Sequence, residues 1–219
     1  MIRIQLILAC LLLGPGLLFG QQPSGLTADL EVAQRLSAIL QDMHTLEAGV
    51  EQLTLDQNGR EVQVFQARLK LSKPDHFSWQ ILSPYEELMT TNGEYIWRYE
   101  PDLEQVTIET FSNDLSRTPV LLLNGDAQAI ADSYTISASD MGDGMRQRFI
   151  LHPKAPDSLF ERLSLTFAGT TLEEMQFEDS LGQKTSLSFS DMTMNAAIDE
   201  AAFIFSIPDG VEVMDNTDP

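Results

Sequence analysis

Three histidines, His44, His76 and His152, are the side chains best suited to acid–base or metal chemistry in this 219-residue chain. They are far apart, and none falls in an HExxH or comparable ligand spacing. His76 stands beside Pro74 and Phe77 at the start of a predicted strand, which is a turn or surface position. The acid pairs Glu86-Glu87 and Glu173-Glu174 are sequence neighbours. On a strand, neighbours point to opposite faces and cannot share a proton. The stretch "SDMGDGM", residues 139–145, sets two aspartates among glycines as a calcium loop would. It lacks the ligand number and the closing glutamate, and a hairpin turn accounts for it better. No GxSxG elbow, P-loop or dinucleotide glycine pattern occurs. The expectation is a protein that is not an enzyme and carries no cofactor or metal; a secreted hydrolase with an unrecognised site is the competing class.

The first 20 residues, "MIRIQLILACLLLGPGLLFG", carry one positive charge, an apolar run and a small residue at the exit. That is the order of a secretory signal peptide, with cleavage expected near Gly20 and a single domain over residues 21–219. The competing reading is an uncleaved anchor, but the run is short for a span of about 20 residues and Gly14-Pro15-Gly16 interrupts it. Cys10, the only cysteine, lies inside this leader. "LILAC" faintly resembles a lipoprotein-processing box, but the apolar run continues past the cysteine. The mature chain then has neither a disulfide nor a thiolate metal site. Without Arg3 it holds 12 basic and 33 acidic residues, a net charge of −21. Such a charge repels nucleic acid and anionic membrane surfaces. It describes a well-solvated surface, or steering toward a basic partner.

The elements follow from the hydrophobic period. Leu26, Leu30, Ala33, Leu36, Leu40 and Met43 recur every three or four positions, which predicts a helix over 26–43. Thereafter the period is two. Phe65, Ala67, Leu69 and Leu71 alternate with polar residues, as do Phe77, Trp79 and Ile81, then Val106 and Ile108, Leu163 to Phe167, Met175 and Phe177, and Leu187 and Phe189. Turn residues such as Asn58-Gly59, Asn92-Gly93 and Leu181-Gly182 bound these runs. Residues 92–110 read as strand, Pro101-Asp102 turn, strand. Two short helical pieces are expected, one after Pro119 and one near residues 199–202.

About ten antiparallel strands with one apolar face each, and little helix to cover them, predict a mainly β fold whose sheet curls. Its interior either holds an apolar guest or is filled by the protein's own side chains.

Residues 71–110 carry a family resemblance. Lys73-Pro74, Phe77, Trp79, Pro84, Gly93, Trp97, Tyr99 and Glu104-Gln105-Val106 stand in the order seen in the outer-membrane lipoprotein carrier family, LolA. Val50-Glu51-Gln52, Thr118-Pro119 with Leu121-Leu122, and residues 203–213, "FIFSIPDGVEV", are similar to that family's flanking motifs, as are the leader and first helix. The resemblance implies an open, strongly curved antiparallel sheet, an incomplete barrel capped by a helical lid. It implies a periplasmic carrier that shields lipoprotein acyl chains, loaded by an inner-membrane ATP-driven complex and unloaded to an outer-membrane receptor. The host would be Gram-negative and the carrier a monomer. A lipid-sensing or lipoprotein-receptor module of related fold is the alternative. The expected acyl-chain wall is Val50, Leu69, Leu71, Phe77, Trp79, Ile81, Leu88, Ile96 and Trp97, with Trp97 readable equally as core. Lys73 replaces the family's usual arginine, the lid latch; it offers a point charge in place of a planar fork. Val50 replaces an aromatic residue, which should widen the cavity locally.

Overall fold

The computed structural model describes residues 25–111, 122–123 and 126–217. The leader with Cys10, and Thr118-Pro119, lie outside them.

Helix α1 (Gly25–Gln41) precedes β1 (Thr45–Leu55), β2 (Glu61–Ser72), β3 (His76–Ser83), β4 (Glu87–Asn92), β5 (Tyr95–Glu100) and β6 (Gln105–Thr110). Helix α2 (Ala127–Ser133) leads into β7 (Tyr134–Asp140), β8 (Arg146–Pro153), β9 (Arg162–Ala168), β10 (Thr171–Glu178) and β11 (Lys184–Met194). A 3-10 turn at Glu200–Phe203 precedes β12 (Glu212–Asn216). The strands form one 12-stranded sheet in the order β12-β6-β5-β4-β3-β2-β1-β11-β10-β9-β8-β7. It is open: β12 and β7 are its edges, and β12 is the strand that pairs in parallel, against β6. The helix predicted to Met43 stops at Gln41, with Met43 closing back on the Leu40 carbonyl. The strand number exceeds the expected ten because β4 and β12 lack clean alternation.

The turns follow their residue chemistry. In the β1–β2 turn, Asp56 Oδ1 accepts from the N–H groups of Asn58 and Arg60, and Gly59 takes φ +76°. Residues 139–145 end β7 at Asp140 and form the β7–β8 turn over 141–145. There Asp140 accepts from Gly142 N–H, and Asp143 from the N–H groups of Met145 and Arg146. The Arg146 backbone N–H, then its guanidinium, hold the Asp143 carboxyl at about 2. The two aspartates thus bind their own loop.

Gly93, between β4 and β5, sits at φ +87° with the Asp75 carboxylate beneath it; a Cβ there would approach Asp75 Cγ to 2.6 Å. Gly93→Ala should therefore cost roughly 1–3 kcal/mol through strain and displacement of Asp75. Urea unfolding measures it, and an unchanged midpoint would refute the crowding argument.

Candidate functional site

Cross-strand register assigns the concave face residue by residue. Phe149 lies opposite Leu165, Leu165 opposite Met175, and Met175 opposite Leu187. Leu187 faces Gln52 and Phe189 faces Val50; Val50 lies opposite Ala67, and Ala48 opposite Leu69. Leu69 faces Trp79, Leu71 faces Phe77 and Ala67 faces Ile81. One apolar surface thus runs from β7 to β3. At β4 and β5 it becomes mixed, the same face carrying Met89 and Ile96 beside Thr91, Glu87 and Arg98. Arg98 Nε stands 3.6 Å from Glu87. Burial raises the Glu87 carboxyl, against the pull of Arg98.

Helices cover this surface. Ala33, Leu36 and Leu40 of α1, Leu122 and Leu123, and Ile130 and Ala131 of α2 are buried in one cluster with Leu46, Val50, Leu69, Leu71, Leu163 and Leu165. Their shared burial follows from the three-to-four spacing of α1 meeting the period of two in the strands. Among the described residues these side chains pack into one apolar cluster between the helices and the sheet.

Two side chains fasten the C-terminal end of α1. Lys73, in the β2–β3 turn, donates from Nζ to the Leu40 carbonyl at 2.7 Å. A cation suits the exposed carbonyls of a helix C-terminus. Desolvation lowers the Lys73 ammonium below its ordinary value of 10.5, and no carboxylate offsets that among the described residues. Its charged form is disfavoured in the folded protein, so this group's contribution to stability improves as pH rises from the lowered value toward 10.5. Asn195, at φ +60°, clasps the α1–β1 connection: its Oδ1 accepts from His44 N–H and its Nδ2 donates to the Asp42 carbonyl, both at 2.8 Å. Asn195→Ala should cost about 1–2 kcal/mol. Asn195→Gly should recover only the backbone part of that loss, since glycine restores the left-handed φ but not the two side-chain bonds. Equal unfolding midpoints for Asn195→Ala and the unsubstituted protein would show that the clasp carries no energy.

The expected wall divides between the two faces. Val50, Leu69, Leu71, Phe77 and Ile81 are buried, Trp79 and Ile96 are half-buried, and all of them lie on the concave side. Leu88 and Trp97 do not join them. Trp97 lies opposite Thr90 and Ile108, Leu88 lies opposite Gln80 and Tyr99, and that row belongs to the reverse of the sheet. The 3-10 turn at Glu200–Phe203 packs there: Thr90 Oγ1 donates to the Phe203 carbonyl, and the Tyr99 and Phe205 rings lie 5.4 Å apart. The alternation that puts Phe77 and Trp79 inside puts Trp97 outside once β4 intervenes.

A cavity of about 100 Å³ opens at the C-terminal end of α1, lined chiefly by Leu40, Met43, Phe167, Leu172, Met192 and Met194. The sequence reading placed no wall at Phe167, Leu172, Met192 or Met194. Phe167 is visible in the β9 alternation, but Met192 lies within a bulge and Met194 just after it, which hides their facing.

The histidines stay apart. His76 pairs with Asp75 at 2.8 Å and packs edge-on against Phe203, while His152 Nδ1 lies 3.2 Å from the Glu161 carbonyl. Among the described residues no cluster of His, Cys, Asp or Glu is placed to hold a metal ion, and no helix is long and apolar enough to cross a membrane.

Known proteins share this arrangement. A solved structure of an uncharacterized conserved protein from Thermus thermophilus superposes with a TM-score of 0.56 at 13% identity, covering 84% of this chain and 99% of that one. A DUF1329 family protein from Desulfovibrio piger superposes with a TM-score of 0.51 at 11% identity, covering 83% and 98%. These likenesses concern the fold. In sequence, the chain is 41% identical over 186 residues to the outer-membrane lipoprotein carrier protein of Pseudomonas aeruginosa, covering 85% of this chain and 88% of that protein. It is 39% identical over 182 residues to the protein of the same name from Chromohalobacter salexigens, covering 83% and 86%. The profile of the family described as outer membrane lipoprotein carrier protein LolA matches residues 41–206. With that match spanning most of the chain, and with relatives near 40% identity along it, the protein belongs to the LolA family of outer membrane lipoprotein carriers.

Proposed function

We propose that the protein is a periplasmic carrier that takes up the acyl chains of lipoproteins on its concave face, beneath α1 and α2. It needs no catalytic group for this. On this reading residues 1–20 direct export, and residues 21–219 form the carrier domain, a monomer. An inner-membrane ATP-driven complex loads it, and an outer-membrane receptor with greater affinity unloads it. The observation that carries the reading is the kind of cover on the large apolar face. Two helices close it, and a few side-chain hydrogen bonds, from Lys73 to Leu40 and between Asn195 and residues 42 and 44, fasten the end of α1.

The volume of the cavity supports a cover that moves. About 100 Å³ has room for roughly three waters and not for an acyl chain. A guest entering at this cavity therefore displaces α1 from the sheet. The exchange is close to balanced, because each methylene gains about 0.8 kcal/mol on burial while Leu36, Leu40 and Met43 give up comparable contacts. Such competition keeps affinity low enough for transfer, which runs on differential binding. Val50, Leu69, Leu71, Phe77, Trp79, Ile81 and Ile96 line the path, and the methionines at its mouth suit guests of varied shape.

Mass spectrometry of the protein isolated gently from periplasm tests this. A triacylated lipoprotein in one-to-one ratio is the expected result; phospholipid alone, or no guest, would overturn it.

A further inference from the structure

A second lysine touches both covering helices, far from Lys73. Lys154 follows β8, and its backbone N–H donates to the Ser133 carbonyl while Nζ donates to the Ala131 carbonyl, so two carbonyls at the end of α2 are met by one residue. The same ammonium stands 3.6 Å from Asp29 Oδ2 on α1. Asp29 is 8% exposed, and its Oδ1 accepts from Ile136 N–H of the edge strand β7 at 3.1 Å. Asp29 precedes Leu40 by eleven residues, about 17 Å along the helix axis.

We propose that Lys154 and Asp29 form a second fastening of the cover, at the opposite end of α1 from Lys73, and that this fastening makes α1 and α2 move as one unit. The inference rests on the reading that these helices cover the guest site. The two fastenings are unequal. At the Lys73 end the helix itself is held by one side-chain hydrogen bond to a carbonyl, with no carboxylate partner among the described residues; the two Asn195 bonds hold the connection after the helix, at Asp42 and His44, and leave α1 free to swing from it. At the Lys154 end a buried carboxylate is held by an ammonium and by a strand N–H together. A hydrogen bond to a charged group is strengthened further where its partner is removed from water. The Lys73 end therefore releases first, and α1 pivots about Asp29. The cavity lined by Leu40 and Met43 lies at that releasing end, so the guest enters there.

Amide hydrogen exchange on the full chain, without any lipoprotein, tests the pivot. Lys154→Met should speed exchange in α2 and around Asp29 about tenfold, the equivalent of 1.4 kcal/mol, and leave β1–β3 unchanged. Lys154→Arg should restore protection. Lys73→Met should instead loosen the last turn of α1. Uptake of an apolar dye should rise more in the doubly substituted protein than the two single effects predict. Asp29→Asn, which keeps an acceptor for Ile136, should reproduce the Lys154→Met pattern and serves if that variant does not fold. Exchange in α1 and α2 that stays within twofold of wild type, or that rises equally in every strand, would overturn the proposal. Failure of the carrier reading looks different: wild-type protein would hold no lipoprotein, whatever Lys154 does.

Discussion

A protein carrying glutamate at both Met192 and Met194 is expected to hold less than about a tenth of the acyl-chain guest that the unsubstituted protein holds. Both methionines line the cavity at the end of α1. Met194 is 41% exposed and Met192 is half-buried against the core, so the carboxylates reach water while the site is empty, and the unfolding free energy should fall by roughly 1–3 kcal/mol. A guest chain removes that water. The penalty for burying a carboxylate is several kcal/mol per ion after relaxation, several times the roughly 0.8 kcal/mol gained per methylene. Each 1.4 kcal/mol is tenfold in affinity. The sign with pH is fixed by the same argument. Lowering the pH through the glutamate range, about 4.3, protonates the new side chains and should recover part of the binding. A doubly substituted protein that folds and loads normally at neutral pH would put the entry somewhere else on the sheet.

How far the sequence disclosed this site depends on where strand alternation is regular. In β2, Phe65, Ala67, Leu69 and Leu71 are all buried, and the reading from period alone was sound. The helix α1 was equally plain, because its spacing leaves one apolar stripe. Lys73 was legible only through the family motif; nothing local announces that its ammonium will reach the Leu40 carbonyl. The methionine mouth was hidden for a physical reason. Extending the alternation of Leu187 and Phe189 places Asp191 and Thr193 inside. Asp191 takes φ +49°, the register against β1 slips between Glu47 and Gly49, and Met194 lies opposite Leu46 on the concave side. One extra residue in a bulged strand exchanges the faces. Trp97 was misplaced by a different route. Facing is relative, and β4, with Thr90 and Thr91 both buried, has no apolar alternation to carry the phase from β3 to β5. Pairing across strands decides it, and pairing is not local information. Lys154 was missed because its partners, Asp29 and Ala131, lie 125 and 23 residues away in sequence.

The two tryptophans lie in β3 and β5 on opposite faces, and this gives the sharpest test of where the guest sits. Trp79 is on the concave side between Leu69 and Met89, packed against the edge of the core; Trp97 is on the reverse, with the Tyr95 ring 6.0 Å away. Trp79→Glu and Trp97→Glu should both lose roughly 2–4 kcal/mol of stability, since each removes a large apolar side chain from a half-buried site and leaves a charge. Under conditions where both remain folded, only Trp79→Glu should fail to load. The unaltered rings report the same difference optically. In Trp97→Phe protein, Trp79 is the sole indole, and a brominated acyl chain should quench most of its emission. In Trp79→Phe protein the remaining Trp97 is shielded by the thickness of the sheet, and its emission should stay within about a tenth of its starting value, because heavy-atom quenching needs contact distances like those of packed side chains. Quenching of Trp97 and not of Trp79 would place the guest on the reverse face, under the segment around Phe203 and Phe205. The concave surface would then be an ordinary filled core.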